Sequence, residues 1–126
     1  MSKRKKYTAE FEIKSSPTIL YNYISTPSGL SEWFANDVDI KQNKYLFKWE
    51  GSQSEAELVR SSPNRYVRFK WDDAPDEEYF EMEIQQDELT GDVALIITDF
   101  ANEGDVASAT QLWESQIQDL KMAIGS

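Results

Sequence analysis

From Val106 onward the apolar residues Ala109, Trp113, Ile117, Leu120 and Ile124 recur at three- and four-residue steps. That spacing predicts an amphipathic helix of about 19 residues, or about 28 Å. Asp105 stands where an N-terminal cap belongs and Gly125 where a helix stops. One apolar stripe of this length needs a matching apolar surface. The preceding residues must supply it, and their periodicity is that of strands.

"YTAEFEI" places Tyr7, Ala9, Phe11 and Ile13 on one side and Thr8, Glu10 and Glu12 on the other, as in a half-buried strand. "SSPTILYNYIS" then changes the period. Ser16 can cap a helix, Pro17 suits its first position, and Ile19, Leu20, Tyr23 and Ile24 share a face. "TPSG" breaks that helix, and "LSEWFA" forms a second short helical piece with Leu30, Trp33 and Phe34 together. Strand signals follow at close spacing: Val38 and Ile40; Tyr45, Phe47 and Trp49; Ala56 and Leu58; Val67, Phe69 and Trp71; Phe80, Met82 and Ile84. "VALIITDF" is apolar on both faces and belongs mid-sheet or under a helix. The expected fold is α+β: a curved antiparallel sheet of six to seven strands wrapped around the C-terminal helix, with two short helices after strand 1.

With 126 residues the chain suits one domain, placed at 7–126 behind a basic N-terminal tail, residues 1–6, read as solvated. The net charge is −10, and beyond that tail nine basic residues face 23 acidic ones. Such a field repels phosphate backbones, so nucleic acid is not an expected partner of the domain. No apolar run reaches membrane-spanning length, and no apolar stretch follows the basic start; the expected location is cytoplasmic. The chain has no cysteine and no histidine. Disulfides, thiolate metal sites and Cys nucleophiles are thereby excluded, and Ser52, Ser54, Ser61 and Ser62 have no histidine to activate them. Neither a metal nor a cofactor is expected.

Four stretches, "SSPTILYNYISTPSGLSEWFA", "SSPNRYVRFKW", the pair "YFEMEI" and "VALIITDF", and "LWESQIQDLKMAI", resemble in order and spacing the START-like and Bet v 1-like helix-grip superfamily. The resemblance runs from about Tyr7 to Ile124, and is to the branch related to the activator of the Hsp90 ATPase. It implies a cavity between sheet and long helix that often holds an apolar molecule. The His-x-Gly-like step common in that branch is replaced by "DFANEG", so no reaction is carried over.

The expected function is non-catalytic binding of a hydrophobic small molecule, a lipid or an aromatic compound. The inward set is Phe11, Phe47, Trp49, Phe69, Trp71, Phe80, Met82, Trp113 and Ile117. Trp33 and Phe34 are read as a plug completing the core, or as a rim contacting ligand. Asp99 could orient a ligand hydroxyl or amine, but is expected to point outward or to cap a turn. Arg60, Arg68 and Tyr45 are weaker polar anchors, exposed strand Arg being the more common case. The acidic stretch 72–78, "DDAPDEE", reads as a solvated hairpin loop able to dock a basic protein partner. That makes a protein-interaction or chaperone-cofactor module the alternative, as monomer or homodimer. A cyclase- or dehydratase-type enzyme ranks last.

Overall fold

The computed structural model describes residues 4–125. The strands are β1 (Arg4–Ile13), β2 (Asp37–Lys41), β3 (Lys44–Trp49), β4 (Ser52–Ser62), β5 (Tyr66–Trp71), β6 (Phe80–Gln86) and β7 (Val93–Asn102); the helices are α1 (Pro17–Ser25), α2 (Pro27–Leu30) and α3 (Val106–Ile124). All seven strands form one antiparallel sheet in the order β1-β7-β6-β5-β4-β3-β2. This is the helix-grip arrangement: α3 lies across the inner face and α1 and α2 close one end.

Local chemistry accounts for the helix ends. The Ile19 N–H donates to Ser16 Oγ at 3.1 Å, and Pro17 occupies the first turn of α1. The Gly29 N–H donates to Thr26 Oγ1 at 2.9 Å, so Thr26 both ends α1 and caps α2. Beyond α2 the turn continues far enough for Phe34 N–H to reach Leu30 C=O at 2.8 Å, which puts Leu30, Trp33 and Phe34 on the buried side. At the far end, Gly125 has φ 84° and its N–H donates to the carbonyls of Lys121 and Met122. Asp105 occupies the N-cap position of α3 but makes no side-chain capping hydrogen bond; its carboxylate accepts from Asn102 Nδ2 at 3.3 Å instead.

The sheet interior follows the alternation. Val67, Phe69, Phe80, Met82, Leu95 and Ile97 are fully buried, and Ile117 and Leu120 of α3 pack with them in one core. β7 sits between β1 and β6 beneath α3, which accounts for its long apolar run. β4 carries a register shift between Leu58 and Arg60. The extra residue, Val59, is 44% exposed. Such a bulge bends and twists its strand, helping the sheet to curve.

Two expectations are corrected. β1 begins at Arg4, so Arg4, Lys5 and Lys6 belong to the sheet and not to a solvated tail; residues 1–3 lie outside the described residues. The cause is long-range: the Arg4 guanidinium donates to the Glu78 carboxylate at 2.7 and 3.0 Å and fixes the strand's start. Nor is 72–78 wholly solvated. Glu78 is 5% exposed, and the Lys70 ammonium donates to the carbonyls of Ala74, Pro75 and Glu78, folding the loop around one cation.

Two outcomes follow from these contacts. A Cβ on Gly29 would run into the Asn22 carbonyl oxygen and lie 2.7 Å from Tyr23 Cα, both backbone atoms. Gly29→Ala is expected to destabilise by about 1–3 kcal/mol, read from the urea midpoint. The hydrogen bonds from Arg4 hold the Glu78 carboxyl below its ordinary range. The stability it contributes is present above the ordinary carboxylate pKa and is lost as pH falls through the depressed value. Arg4→Met should flatten that acid limb in thermal melts between neutral and strongly acidic pH.

Candidate functional site

Phe34, delivered by the turn after α2, meets rings from three other elements, β3, β6 and α3, besides its neighbour Trp33. Its centroid lies 5.5 Å from Trp33, 5.0 Å from Phe47, 6.0 Å from Trp49, 5.8 Å from Phe80 and 6.0 Å from Trp113. Phe69 and Trp71 extend the cluster through Phe47 and Phe80, and Tyr45 joins through Phe47 and Phe69. These are edge-to-face and offset geometries, each contributing about 0.5–1.5 kcal/mol beyond burial. The sequence-predicted set Trp33, Phe34, Phe47, Trp49, Phe69, Trp71, Phe80 and Trp113 is therefore one continuous body. Met82 and Ile117 belong to the same core, while Phe11 packs against it only partly buried, beside the outer flank of α3.

Three of these rings have their polar ends matched to main-chain carbonyls. Trp33 Nε1 donates to Tyr23 C=O at 2.8 Å, Trp49 Nε1 to Phe34 C=O at 2.9 Å, and Tyr45 Oη to Ser25 C=O at 2.8 Å. Among the described residues no buried side-chain polar atom lacks a hydrogen-bond partner. Burial pushes the Tyr45 phenol up.

Asp99 departs from the outward position expected of it. It points toward α3 and accepts from Trp113 Nε1 at 3.0 Å and from Tyr7 Oη at 3.5 Å, while its other oxygen takes the Phe100 N–H at 2.8 Å. Burial raises its carboxyl pKa, and the three donors oppose that rise. Burial, then the adjacent Asp99 charge, push the Tyr7 phenol up to about 12. Sequence alternation does contain this result: Asp99 is in phase with Leu95 and Ile97 on β7, and its register partner is Tyr7. Arg68 and Arg60 face away from the core. Arg68 pairs with Glu81 at 2.9 Å and lies 4.0 Å over the Tyr79 ring, and Arg60 lies 5.9 Å over Tyr66.

Where the cluster reaches solvent, a groove of about 640 Å³ opens between the turn after α2 and the C-terminal half of α3. Trp33, Phe34, Ala35 and Trp49 form one wall and Gln116, Asp119, Met122 and Ala123 the other, with Glu32 and Asn36 at the lip. Trp33 and Phe34 are buried, as a plug is, and both also border the groove. Inner faces complete the core and outer edges line the groove. Sequence reasoning missed Ala35, Gln116, Asp119, Met122 and Ala123; the 78% exposure of Met122 on a helix whose other stripe is buried is what singles it out. Among the described residues, no group of three or more acidic side chains could hold a metal ion.

Fold and groove together define a helix-grip domain, and the chain belongs to the START-like superfamily, whose domain model matches residues 1–126. Among solved structures, a Bacteroides fragilis protein is 34% identical, with TM-score 0.71, over 98% of this chain and 93% of its own. The Aha1 dimer of Colwellia psychrerythraea is similar at 19% identity and TM-score 0.78, over 94% of this chain and 95% of its own. DynU16, a protein in the dynemicin biosynthetic locus, shares the fold at 12% identity and TM-score 0.81, over 96% of this chain and 47% of its own. No curated protein sequence matches significantly.

Trp113→Phe keeps the ring stack but removes a donor from Asp99. Its carboxyl should titrate still higher, as followed by carbon-13 NMR of the side-chain carboxyl. A carboxyl raised further loses stability as pH rises, so the variant's deficit should be largest near neutrality and shrink in acid. An unmoved Asp99 midpoint would contradict the assignment.

Proposed function

We propose that the domain is a non-catalytic binding module that holds a neutral or cationic apolar molecule, flat and aromatic or sterol-like, in the groove beside Trp33, Phe34 and Trp49. The groove itself is the observation that carries this reading. Its volume falls within the range of small-molecule sites, and its walls set ring edges and methyl groups beside the polar side chains of Glu32, Asn36, Gln116 and Asp119, in nearly equal measure. Its charged lining residues are Glu32 and Asp119, with no Lys or Arg among them. A fatty carboxylate would be repelled there, whereas a neutral or positively charged ligand would not. Deeper entry, into the space between sheet and α3, would require displacing rings such as Phe47 and Phe69, each 0% exposed. The ligand therefore rests on the cluster and does not replace part of it. Habits of the superfamily support binding over catalysis, and a chain without histidine or cysteine fits that view. A cytoplasmic setting is part of the same proposal; among the described residues no helix is long and apolar enough to cross a membrane.

A protein-partner reading has one specific support. Asp73, Asp76 and Glu77 project from the loop after β5 and are exposed, a compact acidic surface for a basic partner. A chaperone-cofactor role would fit that surface, and capture released by salt would favour it.

Titration with a neutral aromatic dye such as Nile red, followed by tryptophan quenching and native mass spectrometry, tests the main reading. One-to-one saturable binding is expected, at least tenfold weaker in Met122→Glu and stronger than binding of oleate. Absence of saturation, or affinity indifferent to Met122→Glu, would refute it.

A further inference from the structure

β1 forms one rim of the sheet. It pairs with β7 on one side, and on the other no strand meets it among the described residues. The opposite rim, β2, is five residues long, whereas β1 runs for ten. Long free edges are templates for another strand, and natural sheets usually blunt them.

The charges on β1 are segregated. Arg4, Lys5 and Lys6 occupy its first part and Glu10 and Glu12 its last. Lys5, Lys6, Glu10 and Glu12 are exposed, and among the described residues none of these four takes part in an ion pair. A strand basic at one end and acidic at the other is complementary to itself when reversed.

We propose that two copies of the chain pair antiparallel along β1 about a two-fold axis at Thr8, making one continuous sheet across the dimer. In this register Tyr7 stands opposite Ala9, Lys6 opposite Glu10, Lys5 opposite Phe11 and Arg4 opposite Glu12, each pair occurring twice. Lys6, Thr8, Glu10 and Glu12 share the outer face, because their partners on β7 are Phe100, Thr98, Ile96 and Ala94, while Tyr7, Ala9 and Phe11 face α3. Opposite charges directly across a ladder stabilise it, and like charges do the reverse. Moving the axis to Tyr7 or Ala9 leaves half the opposed charge pairs, and an odd slip breaks the match of faces. Arg4 is already held by Glu78, whereas the Lys6 ammonium makes only a 5.8 Å approach to the Tyr79 ring centroid, so Lys6 and Glu10 set the register.

The space beside this edge offers a second fit. An open trough of about 550 Å³ lies between β1 and α3, lined by Glu10, Phe11, Gln111, Glu114, Ser115 and Gln118. The partner's Lys5, opposite Phe11, lays its alkyl stem along that ring with its ammonium toward Glu114. The local pairs work against the repulsion of two chains of charge −10 each, so association is sensitive to single charges on β1. This inference is independent of what the groove beside Trp33 binds.

Sedimentation equilibrium across micromolar to millimolar protein is the test, with circular dichroism to confirm that each variant is folded. Lys6→Glu and Glu10→Lys each place like charges opposite one another and should raise the dimer dissociation constant about tenfold or more. The double exchange K6E/E10K should restore it. The natural chain has no cysteine, so Thr8→Cys adds a lone thiol at the axis, where opposed Cβ atoms stand about 4.5–5.5 Å apart, near disulfide reach. Under mild oxidation it should cross-link efficiently, while Leu89→Cys, on an exposed turn, should not. A chain monomeric throughout the range, a dimer indifferent to the single exchanges, failure of the double exchange to restore association, or cross-linking no better at Thr8 than at Leu89 would each overturn the proposal.

Discussion

The ring of Phe34 is the contact on which the rest of this molecule rests. It is carried by the turn after α2, yet it touches rings from β3, β6 and α3. Sheet, short helices and long helix each present one apolar surface, and Phe34 is where the three meet. Removing a buried ring of this kind costs about 3–5 kcal/mol in general, a large share of a small domain's stability. The tightness of the turn behind it, with Gly29 pressed on the Asn22–Tyr23 backbone, keeps that ring on target.

A filled interior also dictates what the surface can do. Large buried aromatic residues leave few options for a deep chamber: displacing Phe47, Phe69 or Phe80 forfeits their packing, and displacing Trp33, Tyr45, Trp49 or Trp113 also strands an indole N–H or a phenol. Recognition shifts to the margins, where rings come within reach of solvent. Trp33 and Trp49 do this at the groove, and Phe11 does so beside the free strand edge. The Asp99–Tyr7–Trp113 trio belongs to the interior. It ties β7, β1 and α3 together through a carboxylate whose burial three donors only partly offset.

Strand and helix periodicity made most of the architecture legible. The alternation of Phe47, Phe69, Phe80 and Met82 and the stripe from Trp113 to Leu120 each point to the surface they bury. What the sequence hid depended on distance along the chain. Nothing local says that Arg4 reaches Glu78, 74 residues away, so the basic stretch looked solvated. In β4 the alternation is carried by Ala56 and Leu58 alone, because the bulge at Val59 breaks the period of two. Asp99 looked like a turn residue because it lies near the end of its strand, though its phase with Leu95 and Ile97 was there to be read. The groove was only half legible. The sequence expects its rings, Trp33, Phe34 and Trp49, around a cavity under α3 and not around an open groove, and its helical wall includes Gln116, Asp119 and Ala123, residues of no distinctive chemistry that matter only by position.

The sheet order places the first strand against the last, with Arg4 opposite Asn102 and Ile13 opposite Val93. That ladder joins the most distant parts of the β layer, so it closes only after β7 exists as a partner. Contacts so remote in sequence slow folding through the entropy of closing the intervening loop. During synthesis, then, the opening strand must wait for nearly the whole domain to emerge, and its bare edge is most vulnerable to the wrong neighbour in that interval.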